Sequence, residues 1–313
     1  MVSVIIPTYN GADLIEKSIS SWFSQTLSKK EFEVFIVDNR SSDNTRSLVE
    51  ELIAEKSNFH YLYEGTPGAT AARHAGVRAS QGDILVFADN DILVNQDCLK
   101  ETLKVYKNNS DCVAVTGRIT IQWDKDEPSW ITPYKYLLGY LNYGDNVRYG
   151  YNFYLNGGYM SVRREIFERL HGFNPDLIGP YLIGDGDTGL AKKIFKEHLI
   201  IGYSPFVAIQ HLQQMDKHGS TKGVALHFFN NGIADSYALY REAEFHLSRK
   251  VFVYLIKESV ISFKQWVKSR ILHRDKRHLY FTMRQHIGRI HFFTLLLKPG
   301  LRKEIQVKDV YNA

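Results

Sequence analysis

The stretch Ile84-Leu85-Val86-Phe87-Ala88-Asp89-Asn90-Asp91 decides how the rest of the chain is read. Five apolar residues without a charge predict a strand buried on both faces. The abrupt change to carboxylates puts polar chemistry at the strand's carboxyl end. Three comparable runs come before it. Residues 2–7 are apolar and rich in β-branched side chains, residues 32–37 end at Asp38, and Phe59–Tyr63 is a weaker third strand. Between these runs the apolar spacing becomes helical, with Leu14, Ile15, Ile19, Trp22 and Phe23 in one segment, Leu48, Leu52 and Ile53 in the next, then Ala69–Ala79. A helix over 95–106 and a strand over 113–121 continue the alternation. Repeated β-α-β units with continuously apolar strands imply an α/β fold, Rossmann-like, with a mostly parallel sheet and helices on both faces.

Such a sheet binds ligands beyond the carboxyl ends of its strands. The residues there are Pro7, Thr8, Tyr9 and Asn10 after the first strand, Asp38 after the second, and Asp89, Asn90 and Asp91 after the fourth. A glycine-rich dinucleotide fingerprint does not follow the first strand, and a phosphate-binding lysine loop is also missing. Carboxylates beside a nucleotide make sense if one accepts an N–H from the base and others hold a divalent cation against the phosphates. Three Asp-x-Asp pairs compete for that work. Asp89 and Asp91 sit at a strand end, where alternation aims both side chains the same way. Asp124 and Asp126 lie in a charged loop and read as solvated. Asp185 and Asp187 precede a helical pattern through Leu190 and Ile194, either as a helix cap or as a general base held at a helix start.

The chain has 313 residues, 44% of them hydrophobic, which excludes intrinsic disorder. Two cysteines, Cys98 and Cys112, exclude a disulfide-stapled fold and read as reduced thiols. No apolar window is long enough to span a bilayer, and a basic segment of the kind that opens a signal peptide is missing from the start. A cytoplasmic setting is the expectation. Charge divides the chain. Residues 1–240 carry 23 lysines and arginines against 28 aspartates and glutamates, whereas residues 241–313 carry 16 against 6. This predicts a catalytic domain over 1–240 and a basic helical extension over 241–313. In the extension Phe252, Ile256, Val260, Phe263, Val267 and Ile271 form one apolar stripe, and Lys250, Lys257, Lys264 and Lys268 form the adjacent one. That pattern suits an interfacial helix at an anionic membrane, or a helix packed on the domain with a solvated face. The tail histidines, among arginines and lysines, read as solvated surface. Nucleic acid is not expected as a partner.

Five motifs in order then resemble one family, the GT-A glycosyltransferases of family 2. Residues 2–10 resemble its opening strand, and Val37-Asp38-Asn39-Arg40-Ser41-Ser42-Asp43-Asn44-Thr45 its base-binding turn. Gly68, Ala72, Arg73, His74 and Gly76 resemble its G-x-x-x-A-R-N-x-G helix, with histidine in place of asparagine. Ala88-Asp89-Asn90-Asp91 resembles its D-x-D, and residues 155–167 its small-residue acceptor segment. The resemblance implies a GT-A fold and an inverting sugar transfer from a nucleotide-sugar, with UDP the expected nucleotide, aided by Mn²⁺ or Mg²⁺. It also implies a glycan or polyprenol-linked acceptor and a part in cell-surface polysaccharide assembly.

The site residues follow by position. Asp91 and Asp89 would hold the metal, with His211, which follows the apolar run 206–209, as a third ligand and His218 as the next candidate. Pro7, Thr8, Tyr9, Asn10, Asp38, Arg73, Asp89 and Asn90 would contact the donor. The family's usual Glu-Asp pair departs here. Aligning the helix through Leu190, Lys193 and Ile194 puts Gly186 where glutamate is usual and Asp187 where aspartate is usual, so Asp187 is the expected base and Asp185 the fallback. An inverting transfer needs one such carboxylate and a Lewis acid for the departing diphosphate. The aromatic stretch 123–155 is the candidate lid and acceptor contact. Two rivals remain, a nucleotidyltransferase and a non-catalytic nucleotide-sugar or membrane-binding module. The first would want a basic residue after strand one, where Thr8-Tyr9-Asn10-Gly11 has none.

Overall fold

A computed structural model describes residues 1–178, 181–182, 185–246, 249–271, 276–307 and 311. The chain begins β1 (Val2–Thr8), α1 (Ile15–Phe23), β2 (Phe32–Asp38), α2 (Thr45–Ile53), β3 (Phe59–Tyr63), α3 (Ala69–Ala79) and β4 (Ile84–Ala88). These four strands are parallel in the order β3-β2-β1-β4, with Thr8 in register with Asp38. Every residue of β1 is buried. Alternation sends Val4 and Ile6 to one face of the sheet, with Trp22 and Val49, and Ile5 to the other, with Phe87 and Phe167. The continuous apolar runs are continuous because both faces are covered.

The second half of the sheet departs from a purely parallel arrangement. After β5 (Ile92–Val94), α4 (Cys98–Asn108), β6 (Cys112–Trp123) and β7 (Arg148–Gly150), β8 (Tyr159–Arg163) inserts antiparallel between β4 and β6. α5 (Arg164–Arg169), a short hairpin of β9 (Leu177–Ile178) and β10 (Tyr181–Leu182), and α6 (Gly186–Lys196) follow. β11 (Ile200–Gln213) then pairs parallel to β6 and antiparallel to β5 and β7. Cys98 and Cys112 are free and buried.

The helices that follow are α7 (Thr221–Glu242), α8 (Arg249–Ile271), α9 (Arg277–Leu295) and α10 (Pro299–Ile305). The extension expected to be helical over 241–313 is thus divided, among the described residues, into α8, α9 and α10, with the end of α7 reaching into it. α7 packs along α9 through Ile233, Tyr237, Tyr240, Phe292 and Leu295. The two backbones cross closely. A Cβ on Gly232 would stand 2.0 Å from the Gln285 carbonyl oxygen, and one on Gly288 2.1 Å from that of Phe229. Val224, Phe228 and Phe281 extend this packing to Ile131 and Leu138 of a 3-10 segment, Ser129–Leu138. The helices are thereby joined to the sheet domain beside its ligand edge. Among the described residues no helix is long and apolar enough to cross a membrane.

Candidate active site

The carboxyl ends of β4 and β11, the turn before β8 and the start of α6 converge on one cavity of about 840 Å³. Arg73, Asp89, Asp91, Asp185, Asp187 and His211 line it, which is six of the residues expected from sequence. Asp89 and Asp91 both line the cavity, but they face different partners, Arg73 and His211, rather than one point. Arg73, which could have been a solvated helix arginine, is buried. Its Nη2 donates to Asp89 Oδ1 at 2.8 Å and to the Gly157 carbonyl at 3.2 Å. Burial pushes the Asp89 carboxyl up to about 6. Arg73 opposes that shift and the neighbouring Asp91 carboxylate reinforces it.

Asp91 and His211 face each other across β4 and β11. His211 Nε2 lies 3.1 Å from Asp91 Oδ1. His211 Nδ1 lies 2.8 Å from the Leu138 carbonyl oxygen, so the proton of the neutral ring belongs on Nδ1. Gln213 Nε2 donates to His211 Nε2 at 2.8 Å. A buried carboxylate oxygen without a hydrogen-bond donor and an imidazole nitrogen therefore face one gap, and a cation there would take the lone pair now held by the Gln213 amide. That gap suits a cation. Burial disfavours the imidazolium, yet the bond that a protonated Nε2 would make to Asp91, with the charges of Asp91 and Asp89, raises the His211 pKa overall. A ring anchored through Nδ1–H to a backbone carbonyl leaves Nε2 as the nitrogen that would ligate a metal. Asp89 points at Arg73 instead. Among the described residues no three His, Cys, Asp or Glu side chains already converge.

Asp187 lies in the first turn of α6. Its Oδ2 accepts the Gly157 N–H at 2.6 Å, and its Oδ1 accepts the Thr188 N–H at 2.8 Å. The carboxylate raises the Tyr154 hydroxyl to about 12, with burial adding to the effect. Asp185 occupies the position before α6 but does not cap it. It is buried, and Asn174 Nδ2 donates to its Oδ1 at 2.8 Å. Burial raises its pKa despite that bond. Lys193, which the helix alignment used, donates to the Leu170 and Gly172 carbonyls and fixes the preceding turn. Residues 183–184 of the acidic motif lie outside the described residues.

The remaining expected donor contacts lie apart from this cavity, where β1 and β2 end. Asp38 is buried, its Oδ1 accepting the Ser41 N–H and its Oδ2 the Tyr61 hydroxyl, both at 2.8 Å. Asn10 takes a positive φ of 48°, and its side chain accepts the Ser42 N–H. Asn90 Nδ2 donates to Thr8 Oγ1 at 2.9 Å and links this subsite to β4. Pro7 pairs within the sheet, and Tyr9 is exposed.

The aromatic stretch expected as acceptor contact supplies part of the lining, and α7 supplies a part that the sequence pattern does not indicate. Tyr136, Leu138 and Tyr140 of the aromatic stretch form one wall. Another wall comes from His227, Asn231 and Asp235, spaced four apart on α7, with Gln285 of α9. His218 also lines the cavity. Burial, then the nearby His227 and Lys217, push it down to about 4. His74 joins α3 to the turn after α5: its Nε2 accepts the Phe173 N–H at 3.0 Å and its ring stacks on Phe173. The tail histidines are not uniformly solvated. His286 is buried and bonded to Glu258.

A mixed α/β sheet with carboxylates at its strand ends and at one helix start places them where such sheets hold a ligand. The model of the family described as Glycosyl transferase family 2 matches residues 3–171, and the chain belongs to that family. Among curated relatives, Glycosyltransferase AglE of Haloferax volcanii is 40% identical over 100 residues, covering 32% of this chain and 33% of that protein. Poly(ribitol-phosphate) beta-N-acetylglucosaminyltransferase TarP of Staphylococcus aureus is 32% identical over 114 residues, 36% of this chain and 35% of that protein. The matched part spans about a third of the length of these relatives. Among solved structures, the mannosyltransferase PcManGT from Pyrobaculum calidifontis, in complex with GDP-Man and Mn²⁺, has a TM-score of 0.61. It is 20% identical, with 95% of this chain and 87% of that chain covered. S. aureus TarS 1-349 has a TM-score of 0.53 at 17% identity, with 95% and 91% covered. These likenesses establish the GT-A fold.

Proposed function

We propose that this chain is an inverting glycosyltransferase. In this reading it moves a sugar from a nucleotide-sugar, a UDP-sugar first, to a hydroxyl of a glycan or polyprenol-linked acceptor in cell-surface polysaccharide assembly. One observation carries the reading: a single cavity at the carboxyl edge of a family 2 sheet holds Asp89, Asp91, Arg73, His211 and Asp187. The printed names of relatives support it. TarP is named for N-acetylglucosamine transfer to poly(ribitol-phosphate), and TarS has been solved with UDP-GlcNAc.

Asp187 is the proposed base. Its two backbone N–H partners fix the carboxylate, and a second lone pair on each oxygen is left to take the acceptor hydroxyl's proton. Asp185 is the weaker candidate, since Asn174 and Lys192 lie against it. Asp91 and His211, with Asp89, would hold Mn²⁺ or Mg²⁺. When bound, that ion supplies a Lewis acid for the departing diphosphate. Arg73 brings a guanidinium suited to phosphate oxygens to the same place. Thr8, Tyr9, Asn10, Asp38 and Asn90, with Pro7, belong to the nucleotide side, and the 123–155 stretch closes over the acceptor side. The proposed catalytic domain is 1–240 and the extension 241–313. The setting is the cytoplasm, at the membrane periphery.

The test is a thermal-shift panel of nucleotide-sugars with and without Mn²⁺. A ligand at a hundred times its Kd stabilises by about 2.7 kcal/mol. The expected result is a Mn²⁺-dependent shift with one donor, lost in Asp91→Ala. Stabilisation by nucleoside triphosphates, without response to any nucleotide-sugar, would favour a nucleotidyltransferase instead.

A further inference from the structure

Among its described side chains, α8 pairs an inward charge with outward apolar residues, the reverse of an ordinary packed helix. Its inward face carries charge. Glu258 is buried, bonds His286, and accepts from Arg289 Nη1 at 3.0 Å. Arg289 also donates through Nη2 at 2.7 Å and Nε at 3.0 Å to Asp235 of α7, which lines the cavity. The outward face carries the apolar residues. Val253 is 56% exposed, Ile256 53%, Val260 47%, Phe263 64% and Trp266 45%. Phe263 and Trp266 stack on each other at 6.0 Å. An amphipathic helix packed on a domain hides such residues, and single exposed apolar side chains are normally scattered. Five on one stripe of one helix need a partner. The side chains of Lys250, Phe252 and Ile271, which the sequence pattern included, lie outside the described residues.

The charge beside the stripe selects the partner. Lys257, Lys264 and Lys268 are exposed on the adjacent strip. Of seven charged residues in Arg249–Ile271 six are cationic, and the one acid, Glu258, is turned inward. The outer surface thus joins an apolar ridge to cations. A second copy of the same face would set lysine rows near one another, whereas anionic headgroups over acyl chains complement both strips. At 1.5 Å per residue the helix offers roughly 35 Å of such surface.

We propose that α8 docks the protein on an anionic lipid bilayer, with Val253, Ile256, Val260, Phe263 and Trp266 entering the interface and Lys257, Lys264 and Lys268 meeting the headgroups. The Glu258–Arg289–Asp235 chain then holds the cavity wall in fixed relation to the bilayer. If sugar transfer is the activity, a membrane-borne acceptor follows.

Flotation of the full chain tests this without any donor, so failure of the sugar-transfer reading leaves its result intact. Vesicles of phosphatidylcholine alone are compared with vesicles carrying about a third phosphatidylglycerol, at roughly 0.05 M and 0.5 M salt. The expected result is binding to the anionic vesicles at low salt and release at high salt. Changing Lys257, Lys264 and Lys268 to Glu should lower partition about a hundredfold. The milder pair Phe263→Ser and Trp266→Ser should also detach the protein while keeping the wild-type melting temperature, and decides the matter if the triple variant unfolds. Equal partition into both vesicle types, or no binding to either, overturns the proposal. So does a dimer seen by light scattering that the serine pair dissociates, which would assign the face to a second copy.

Discussion

The backbone amide of Gly157 donates to Asp187 Oδ2 at 2.6 Å, so the turn before β8 aims the carboxylate at the start of α6. Residue 157 has no room for a side chain. A Cβ there would stand 2.9 Å from Asp187 Oδ2 and 2.9 Å from Arg73 Nη2. Gly157→Ala is therefore expected to push base and arginine apart, with a fall in kcat of about 10–100-fold and a near-normal melting temperature, since small misplacements of reacting groups cost that much. Gly65→Ala, where the nearest atom is 3.8 Å away, serves as the control. Equal losses in the two variants would show that the close approach at Gly157 does not matter.

Asp187→Asn keeps the shape of the side chain and removes its basicity. Donor binding should survive and the transfer rate should fall by about 10²–10⁴-fold. Asp185→Asn should do far less. That carboxyl is buried against Asn174, and burial already favours its neutral form, so an amide is tolerated there. Initial rates and donor thermal shifts on both variants decide the assignment. A large loss confined to Asp185→Asn would move the base by two residues.

The strands and the carboxylates at their ends were legible because burial on both faces leaves an uninterrupted apolar run, as in Val2–Thr8 and Ile84–Ala88. The direction of β8 is not legible in its residues, because an antiparallel strand between two buried neighbours has the same composition as a parallel one. Arg73 and His74 illustrate another limit. A helix pattern does not say which polar residue faces inward, and both are buried here by partners about 15 to 100 residues away in sequence. The α7 wall was missed because His227, Asn231 and Asp235 look like a solvated face until a cavity is found beside them.

Asp38 carries a structural role beside the nucleotide contact that its position suggests. Position alone suggests that Asp38→Ala would cost nucleotide affinity. The structure adds two donors from the chain itself, the Ser41 N–H and the Tyr61 hydroxyl, around a buried carboxylate. Leaving them unpaired costs about 1–3 kcal/mol. Urea unfolding without any nucleotide should show a loss of that size for Asp38→Ala, and a smaller one for Asp38→Asn, whose oxygen can still serve Ser41. A wild-type urea midpoint for Asp38→Ala would mean the carboxylate is not needed by the fold.

His218 supplies a pH dependence with a definite sign. In the folded chain burial comes first, then the neighbouring His227 and Lys217, in holding its pKa down at about 4, against an ordinary value of 6.5. Its Nδ1 lies 2.5 Å from Gln213 Oε1, so the neutral ring donates there. Between these two pH values the unfolded chain binds a proton that the folded chain refuses. Stability due to this group is therefore unaffected above about pH 6.5 and declines as pH falls toward about 4, below which both states are protonated. The ring is partly solvated, so the loss is on the order of 1 kcal/mol rather than the full value of the shift. Other groups titrate in the same window, and a difference measurement isolates this one. His218→Asn retains a donor for Gln213 and removes the titration. Urea unfolding at pH 7.5 and pH 5, run on both proteins, should show the wild type losing about 1 kcal/mol more than the variant. Identical losses would place the His218 pKa at its ordinary value in the folded chain, and the ring would then be open to water rather than closed into the cavity wall.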